Sequence, residues 1–267
     1  MQTRLGTFRR SIAALSALTL GSGFFVAGSA GSVGAAPERA FRIIKNFAKD
    51  PQPGGRFGDR MITAGDLDGD GVNDLWVGVY RWDAVEAGLE NVGRVYALNG
   101  KTREVLYLIR SPEPQESQLG FAGFGWSITN LDDIDGDGIN DVAVGSVTHS
   151  VYTGSGEPCG APEPNGCNEA QGKAWVFSGN DGDLLYDLDN PAPQSSPTGS
   201  FGWVGTAGDI TGDGISEVLV GAFGNDFPAG CSRQNPVPEN CRKGQGQAFI
   251  FNGNPAISDD ARLIRTL

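Results

Sequence analysis

Three aspartate-rich stretches hold the side chains of this sequence best arranged for chemistry. The first runs Asp66-Leu67-Asp68-Gly69-Asp70-Gly71-Val72-Asn73-Asp74. Its acids stand at loop positions 1, 3, 5 and 9, and alternate side chains over a tight loop converge on one point. Gly71 permits the sharp turn after the third acid, and the Val72 carbonyl at position 7 adds a main-chain oxygen. Carboxylates so close repel one another strongly unless a cation lies among them. Hard oxygen ligands in a flexible ring suit Ca²⁺, whereas Mg²⁺ holds to stricter octahedral geometry and keeps its water. The second loop offers Asp133, Asp135, Asp137 and Asp141, with Ile139 as the carbonyl donor. The third offers Asp209, Asp213 and Glu217, with Thr211 in place of an acid and Ile215 as carbonyl donor. Having one charge fewer, it is expected to be the weakest of up to three Ca²⁺ sites, although the same donors also accept other divalent ions.

The alternative for each loop is an acidic, solvated turn without an ion. An EF-hand does not fit. That motif needs a bidentate acid at position 12 and helices on both sides. Position 12 here is Val77, Val144 or Val220, in the middle of an apolar run. Dockerin-like loops also need helical flanks, which are lacking.

The elements that position the loops come from an internal repeat. A Phe-Gly pair precedes each loop, as Phe57-Gly58, Phe124-Gly125 and Phe201-Gly202. An apolar stretch follows each loop, as Leu75 to Tyr80, Val142 to Gly145 and Val218 to Phe223. Next comes a shared block ending in a Gly turn, from Gly93 to Gly100, Gly172 to Gly179 and Gly246 to Gly253. Rough polar–apolar alternation with bulky residues reads as a strand entering a hairpin. The return strands are predicted at Glu104 to Ile109, Asp183 to Leu188 and Arg262 to Leu267. Each unit thus holds about four short strands, and no segment shows a convincing helical period. Four-stranded units in series are the signature of propeller blades.

The Phe-Gly pair, the Asp-x-Asp-Gly-Asp-Gly-x-x-Asp loop and the following Val-Gly strand together resemble FG-GAP repeats. Those repeats form the seven-bladed β-propeller in the head of integrin α chains and occur in bacterial exported proteins. The resemblance covers nearly all of residues 56–267, and it implies that the Asp loops bind Ca²⁺ between strands of a blade and stiffen it. The Gly-Ala-Pro stretch of the repeat is degenerate here, as Gly78-Val79-Tyr80, Gly145-Ser146-Val147 and Gly221-Ala222-Phe223. The expected organisation is an outer strand and linker at 37–55, then blades at 56–119, 120–199 and 200–267. The stretch Phe41 to Pro53 is read as an outer strand belonging to a neighbouring blade position. Propellers use roughly 4–8 blades, so three do not close a ring. A truncated propeller is the favoured expectation, with a ring completed by assembly or an open set of blades as the alternatives.

Residues 1–36 are expected to be a secretory signal peptide. Arg4, Arg9 and Arg10 form a basic start, Ile12 to Val26 is apolar, and small residues between Ala30 and Ala36 suit cleavage. An N-terminal membrane anchor is the competing reading, but the run falls short of the roughly 18–20 residues a span needs. Removing this segment leaves 17 basic against 32 acidic residues, so the net charge of −12 becomes −15. Such a surface disfavours nucleic acid and anionic membranes as partners and calls for cations. In an exported chain the four cysteines read as two local disulfides, Cys159–Cys167 and Cys231–Cys241. One Cys₄ metal site is the alternative, although neither pair has the spacing of structural zinc.

Three functions remain in contention. The first is a secreted or cell-surface Ca²⁺-binding module for protein or glycan recognition and adhesion, using the variable loops at 148–171 and 224–245. Trp82, Trp126 and Trp203 offer contacts, with blade packing favoured for Trp126 and Trp203. The second is an exported hydrolase or polysaccharide lyase on the same scaffold. Its support is thin: His149 is the single histidine, and neither a Gly-x-Ser-x-Gly elbow nor a zinc motif is present. The third is a purely structural repeat segment, and no enzymatic activity is the favoured expectation.

Overall fold

The computed structural model describes residues 52–115, 123–152, 167–168, 170–194, 200–228, 231 and 236–267. The leader expected at 1–36, most of the outer strand at 37–55, and Cys159 lie outside these residues.

The first sheet is β1 (Arg60–Gly65), β2 (Asp74–Gly78), β3 (Arg94–Leu98) and β4 (Val105–Arg110). These pair antiparallel in chain order. The second sheet starts with β5 (Ser127–Asn130) and β6 (Val142–Ser146). A two-stranded ribbon, β7 (Val151–Tyr152) with β8 (Cys167–Asn168), interrupts it before β9 (Lys173–Phe177) and β10 (Leu184–Asp189) complete it. The third is β11 (Phe201–Gly208), β12 (Glu217–Ala222), β13 (Gln247–Phe251) and β14 (Leu263–Thr266). The described helices are one turn at Val85–Ala87 and one at Asp259–Arg262. The protein is all-β and built of propeller blades. The return strands end one residue beyond or short of the expected bounds, and the ribbon inside the 148–171 insertion was not anticipated.

The blades stack through alternate strand residues. Trp76, Val95, Ala97 and Ile109 of the first sheet bury themselves against Val142, Val144, Trp175 and Phe177 of the second. Phe124 fills the middle of that layer, with ring centroids 5.4 Å from Trp175 and 5.8 Å from Phe177. The arrangement recurs one blade later. Ala143, Ala174, Val176, Tyr186 and Leu188 meet Val218, Val220, Phe249 and Phe251, with Phe201 between them. Phe124 and Phe201 are thus the wedges between their own blades and the ones before. An outer-strand tyrosine adds a polar tie at each junction. The Tyr107 hydroxyl donates to the Gly179 carbonyl, and the Tyr186 hydroxyl donates to that of Gly253 at 2.9 Å. Both carbonyls lie in the hairpin of the following blade.

Candidate metal centres

Each Asp loop joins the first two strands of a blade, and its glycines let it fold tightly. Gly71, Gly138 and Gly214, each at position 6, have φ of +82°, +93° and +89°. That is left-handed backbone, which a side chain disfavours. The carboxylate at position 1 then accepts two backbone N–H groups. Asp66 takes those of Asp70 and Gly71 at 3.0 and 2.8 Å; Asp133 takes those of Gly136 and Gly138 at 2.8 and 2.9 Å. Asp209 repeats the pattern with Gly212 and Gly214 at 2.6 and 2.9 Å and accepts a third amide, that of Asp213, at 3.2 Å. Position 5 likewise accepts from the amide of position 7, as Val72, Ile139 and Ile215 donate to Asp70, Asp137 and Asp213.

Each loop brings three of its acids together, and the sets do not include Asp74 of the first loop or Asp137 of the second. Single carboxylate oxygens of Asp66, Asp68 and Asp70 lie within 4.8 Å of one another. So do those of Asp133, Asp135 and Asp141, and those of Asp209, Asp213 and Glu217. All-oxygen donor sets this close fit a hard divalent cation. Neighbouring side chains temper the charge unequally. The Asn99 amide donates to Asp68 at 2.6 Å and Asp70 at 3.1 Å, and Lys101 stands 3.8 Å from Asp70. Ser178, at the same place in the second blade, makes one contact to Asp137 at 3.4 Å. In the third loop the Thr211 hydroxyl donates to Glu217 at 2.9 Å.

Position 9 does more than face the loop. Asp74, Asp141 and Glu217 are fully buried. Each accepts from the amide at position 2, from Leu67 at 2.7 Å, Ile134 at 2.8 Å and Ile210 at 2.6 Å. Asp74 and Asp141 also accept from the hairpin glycines Gly100 and Gly179, at 2.8 and 2.9 Å. These carboxylates latch the Asp loop to the hairpin between the third and fourth strands. Burial pushes Asp141 up to about 6 against the pull of its two backbone hydrogen bonds, and the charges of Asp135 and Asp137 add to the rise. A bound cation would relieve both costs. The recurring Gly after each third strand was the available sequence signal for this latch.

The second cluster of ionisable groups sits at the other end of the strands. His149 is buried, with its ring 5.0 Å from Trp175. Its Nε2 lies 2.8 Å from the Gln115 amide nitrogen and 3.3 Å from Glu113. Lys173 pairs with Glu113 at 2.7 Å, Asp187 at 2.6 Å and Asp189 at 3.3 Å. The cluster pins the connection after β4 onto the second blade. The adjoining cavity has room for about one water among its described lining residues.

This clasp carries an acid-sensitivity prediction. Burial lowers the His149 pKa from 6.5, so His149 favours folding while neutral, above pH 6.5, and that contribution falls as pH drops. The hydrogen bond from His149, then that from Lys173, hold Glu113 down to about 2, so its share is lost only below pH 4.5. The difference in melting temperature between the wild type and His149→Gln should therefore shrink from pH 7 to pH 5. A constant difference would contradict the clasp.

The aromatic residues fall out differently from one another. Trp126 packs between Tyr80 and Trp203, with centroids at 4.6 and 6.1 Å. Trp203, expected to be packed, is 42% exposed. Trp82 lines a groove of about 430 Å³ with Arg94, Arg110 and Glu86, at the ends of the strands remote from the Asp loop. The Arg94 guanidinium lies 4.0 Å from the Trp82 ring and 4.7 Å from that of Tyr96. Cys231 and Cys241 form a disulfide that closes the loop after β12.

Integrin α chains are similar to this sequence over most of its length. Integrin alpha-8 of Gallus gallus is 25% identical over 229 residues, 83% of this chain and 18% of its own. Integrin alpha-5 of Xenopus laevis is 31% identical over 197 residues, 69% of this chain and 16% of its own. Integrin alpha-IIb of Homo sapiens is 31% identical over 201 residues, 73% of this chain and 17% of its own. The chain therefore spans under a fifth of the length of these relatives. No protein-family model matches it. Among solved structures, rhamnogalacturonan lyase YesW aligns with 16% identity and a TM-score of 0.41, over 77% of this chain and 33% of that one. A likeness at that level carries no argument about function.

Proposed function

We propose that the chain, similar in sequence to integrin α chains, is an exported, Ca²⁺-stiffened propeller segment that binds a protein or glycan ligand in adhesion. The carrying observation is the division of labour between the two ends of the first blade. At one end, converging carboxylates fit a cation that would fix the β1–β2 turn. At the other, a roomy groove presents the Trp82 indole, the exposed Arg110 guanidinium and the Glu86 carboxylate, with Arg94 buried behind the indole. Flat aromatic and planar cationic groups recognise sugar faces, peptide aromatics and carboxylates with little loss of side-chain entropy. The Cys231–Cys241 link and the run of small residues in the leader support export. A lyase or hydrolase is disfavoured because the single histidine is buried and held by Glu113 and Gln115 in a charged clasp.

The test is a binding screen of the Ca²⁺-loaded chain against extracellular matrix proteins and an array of glycans. At least one ligand should bind, and its affinity should fall about tenfold or more in Trp82→Ala, the loss typical of an anchoring aromatic. A folded chain that binds none of them, or binds equally well without Trp82, would overturn the assignment.

A further inference from the structure

Each blade is entered through a linker that carries the dipeptide Pro-Gln, as Pro51-Gln52, Pro114-Gln115 and Pro193-Gln194. The three glutamine side chains reach the same place in their blades. Gln52 accepts from the Asp83 amide at 2.6 Å and donates to the Asp83 carbonyl at 2.8 Å. Gln115 treats Ser150 in the same way, at 2.8 and 3.0 Å. Gln194 accepts from the Asp226 amide at 3.3 Å and donates to the Ala192 carbonyl at 2.8 Å. Asp83, Ser150 and Asp226 each stand five residues after the second-strand glycine, which is Gly78, Gly145 or Gly221. A carboxamide carries an acceptor and donors in one plane, so it can pair with a peptide group as a neighbouring strand would. The linker thus staples the loop between the second and third strands from outside the sheet.

The residue before each stapled one faces the start of the third strand. In the first blade the Trp82 indole lies 4.0 Å from the Arg94 guanidinium. In the second, His149 and Lys173 share Glu113, at 3.3 and 2.7 Å. In the third, the Asn225 amide donates to Gln247 at 3.0 Å. The first blade builds a closed loop beyond this point. Ala84 and Leu89 exchange both backbone hydrogen bonds, at 2.8 and 3.2 Å, and the Asp83 carboxylate accepts the Asn91 amide at 2.8 Å. Val85, Glu86 and Ala87 form the single turn at the tip of that loop, and they wall the groove that Trp82 lines. Gln52 is itself set by a turn, its carbonyl accepting the Gly55 amide at 3.2 Å. Asp83 is therefore a hinge, with its backbone held by Gln52 and its carboxylate holding the far side of the loop.

We infer that Gln52 is the positioning residue of the groove, fixing Trp82 and the 84–87 wall relative to Arg110 through its hold on Asp83. The inference rests on the reading of the groove as a ligand site. Without the Gln52 side chain, the amide and carbonyl of Asp83 lose their partners, and the carboxylate that holds Asn91 loses its anchor. The loop then samples arrangements in which the indole and Glu86 no longer face a ligand together. Binding must reorder it, and affinity falls by the fraction of time the loop is out of place. Gln194 makes the equivalent hold at Asp226, outside the groove lining, and so serves as the control.

Amide hydrogen exchange reads the hinge without any ligand. In Gln52→Ala, exchange at Asp83 and across 84–91 should quicken about tenfold or more, as expected when a local opening gives up two hydrogen bonds. In Gln194→Ala the same amides should keep their wild-type rates. With a ligand from the binding screen, Gln52→Ala should weaken binding about tenfold, whereas Gln194→Ala should leave it unchanged. Should alanine at 52 prevent folding, Gln52→Glu keeps the acceptor, loses the donor and carries the same expected directions. Unchanged exchange across 84–91, or equal weakening of binding by the two alanine variants, overturns the inference. Quickened exchange with undiminished binding overturns it as well and leaves the staple a role in stability alone. A screen that yields no ligand fails the groove reading by itself, and the exchange rates then decide whether Gln52 holds the hinge.

Discussion

Gly145→Val should strip the third blade from the second. Gly145 lies in β6, paired with Ser127 on one side and Ala174 on the other, so its strand cannot swing away without breaking two ladders. A Cβ there would stand 1.8 Å from the Gly202 carbonyl oxygen, and valine adds two methyls beyond it. Relief requires β11 to retreat, which opens the layer that Phe201 fills. Overpacking a core costs about 1–3 kcal/mol when side chains can give way, and here the obstacle is backbone. A loss of about 3 kcal/mol or more is expected, which lowers the melting temperature by about 10 °C in a chain of this size. Thermal unfolding at fixed Ca²⁺ measures it. The informative comparison is Gly221→Val, the same change at the same place in the next blade, where a Cβ meets only Trp203 at 3.4 Å. That variant should stay within about 0.5 kcal/mol of wild type, as surface substitutions do. Equal losses in the two would mean that the strand, and not the blade junction, is what valine disturbs.

The contrast between those glycines shows where the sequence is legible and where it is not. Strand positions were readable because the same alternation recurs in each unit, and a register fixed by one buried face tolerates no slip. The Cys231–Cys241 pairing was readable from a short Pro-rich loop. The exposure of Trp203 was not, because Trp126 and Trp203 follow identical Phe-Gly pairs. They differ in what the next blade supplies: Trp126 has Trp203 beside it, whereas Trp203 has Phe223 of its own blade. His149 was equally opaque. Its partners Glu113 and Gln115 lie 36 and 34 residues away on a connection that carries no repeat signal. Three acids of each loop were legible as a set that would converge, but the burial of position 9 was not. Burial follows from the latch to a hairpin glycine 26 or 38 residues downstream, a contact made only once the four strands have paired.

That latch makes Asp141→Ala the more damaging of two superficially similar changes in the second loop. Asp141 is fully buried and holds the amides of Ile134 and Gly179 with its two oxygens. Alanine leaves both N–H groups without their acceptor in a place water reaches poorly, at about 1–3 kcal/mol each. Asp135 is exposed, and the amide it accepts from, that of Asp137, is exposed too. Its removal in metal-free solution should cost less than about 1 kcal/mol, because water replaces the lost acceptor. Both variants remove a carboxylate from the same cluster, so both should blunt the rise in melting temperature that Ca²⁺ produces by binding only the native state. The two effects therefore separate. Asp141→Ala should melt lower than wild type by about 3 kcal/mol or more with chelator present, and lower still with Ca²⁺. Asp135→Ala should match wild type in chelator and fall behind it only when Ca²⁺ is added. Thermal scans of the three proteins, each with chelator and with Ca²⁺, decide the matter. Should Asp135→Ala respond to Ca²⁺ as strongly as wild type, the second loop is a solvated acidic turn. Should Asp141→Ala be silent in chelator, the hairpin is held by its strands alone and the carboxylate serves only the ion.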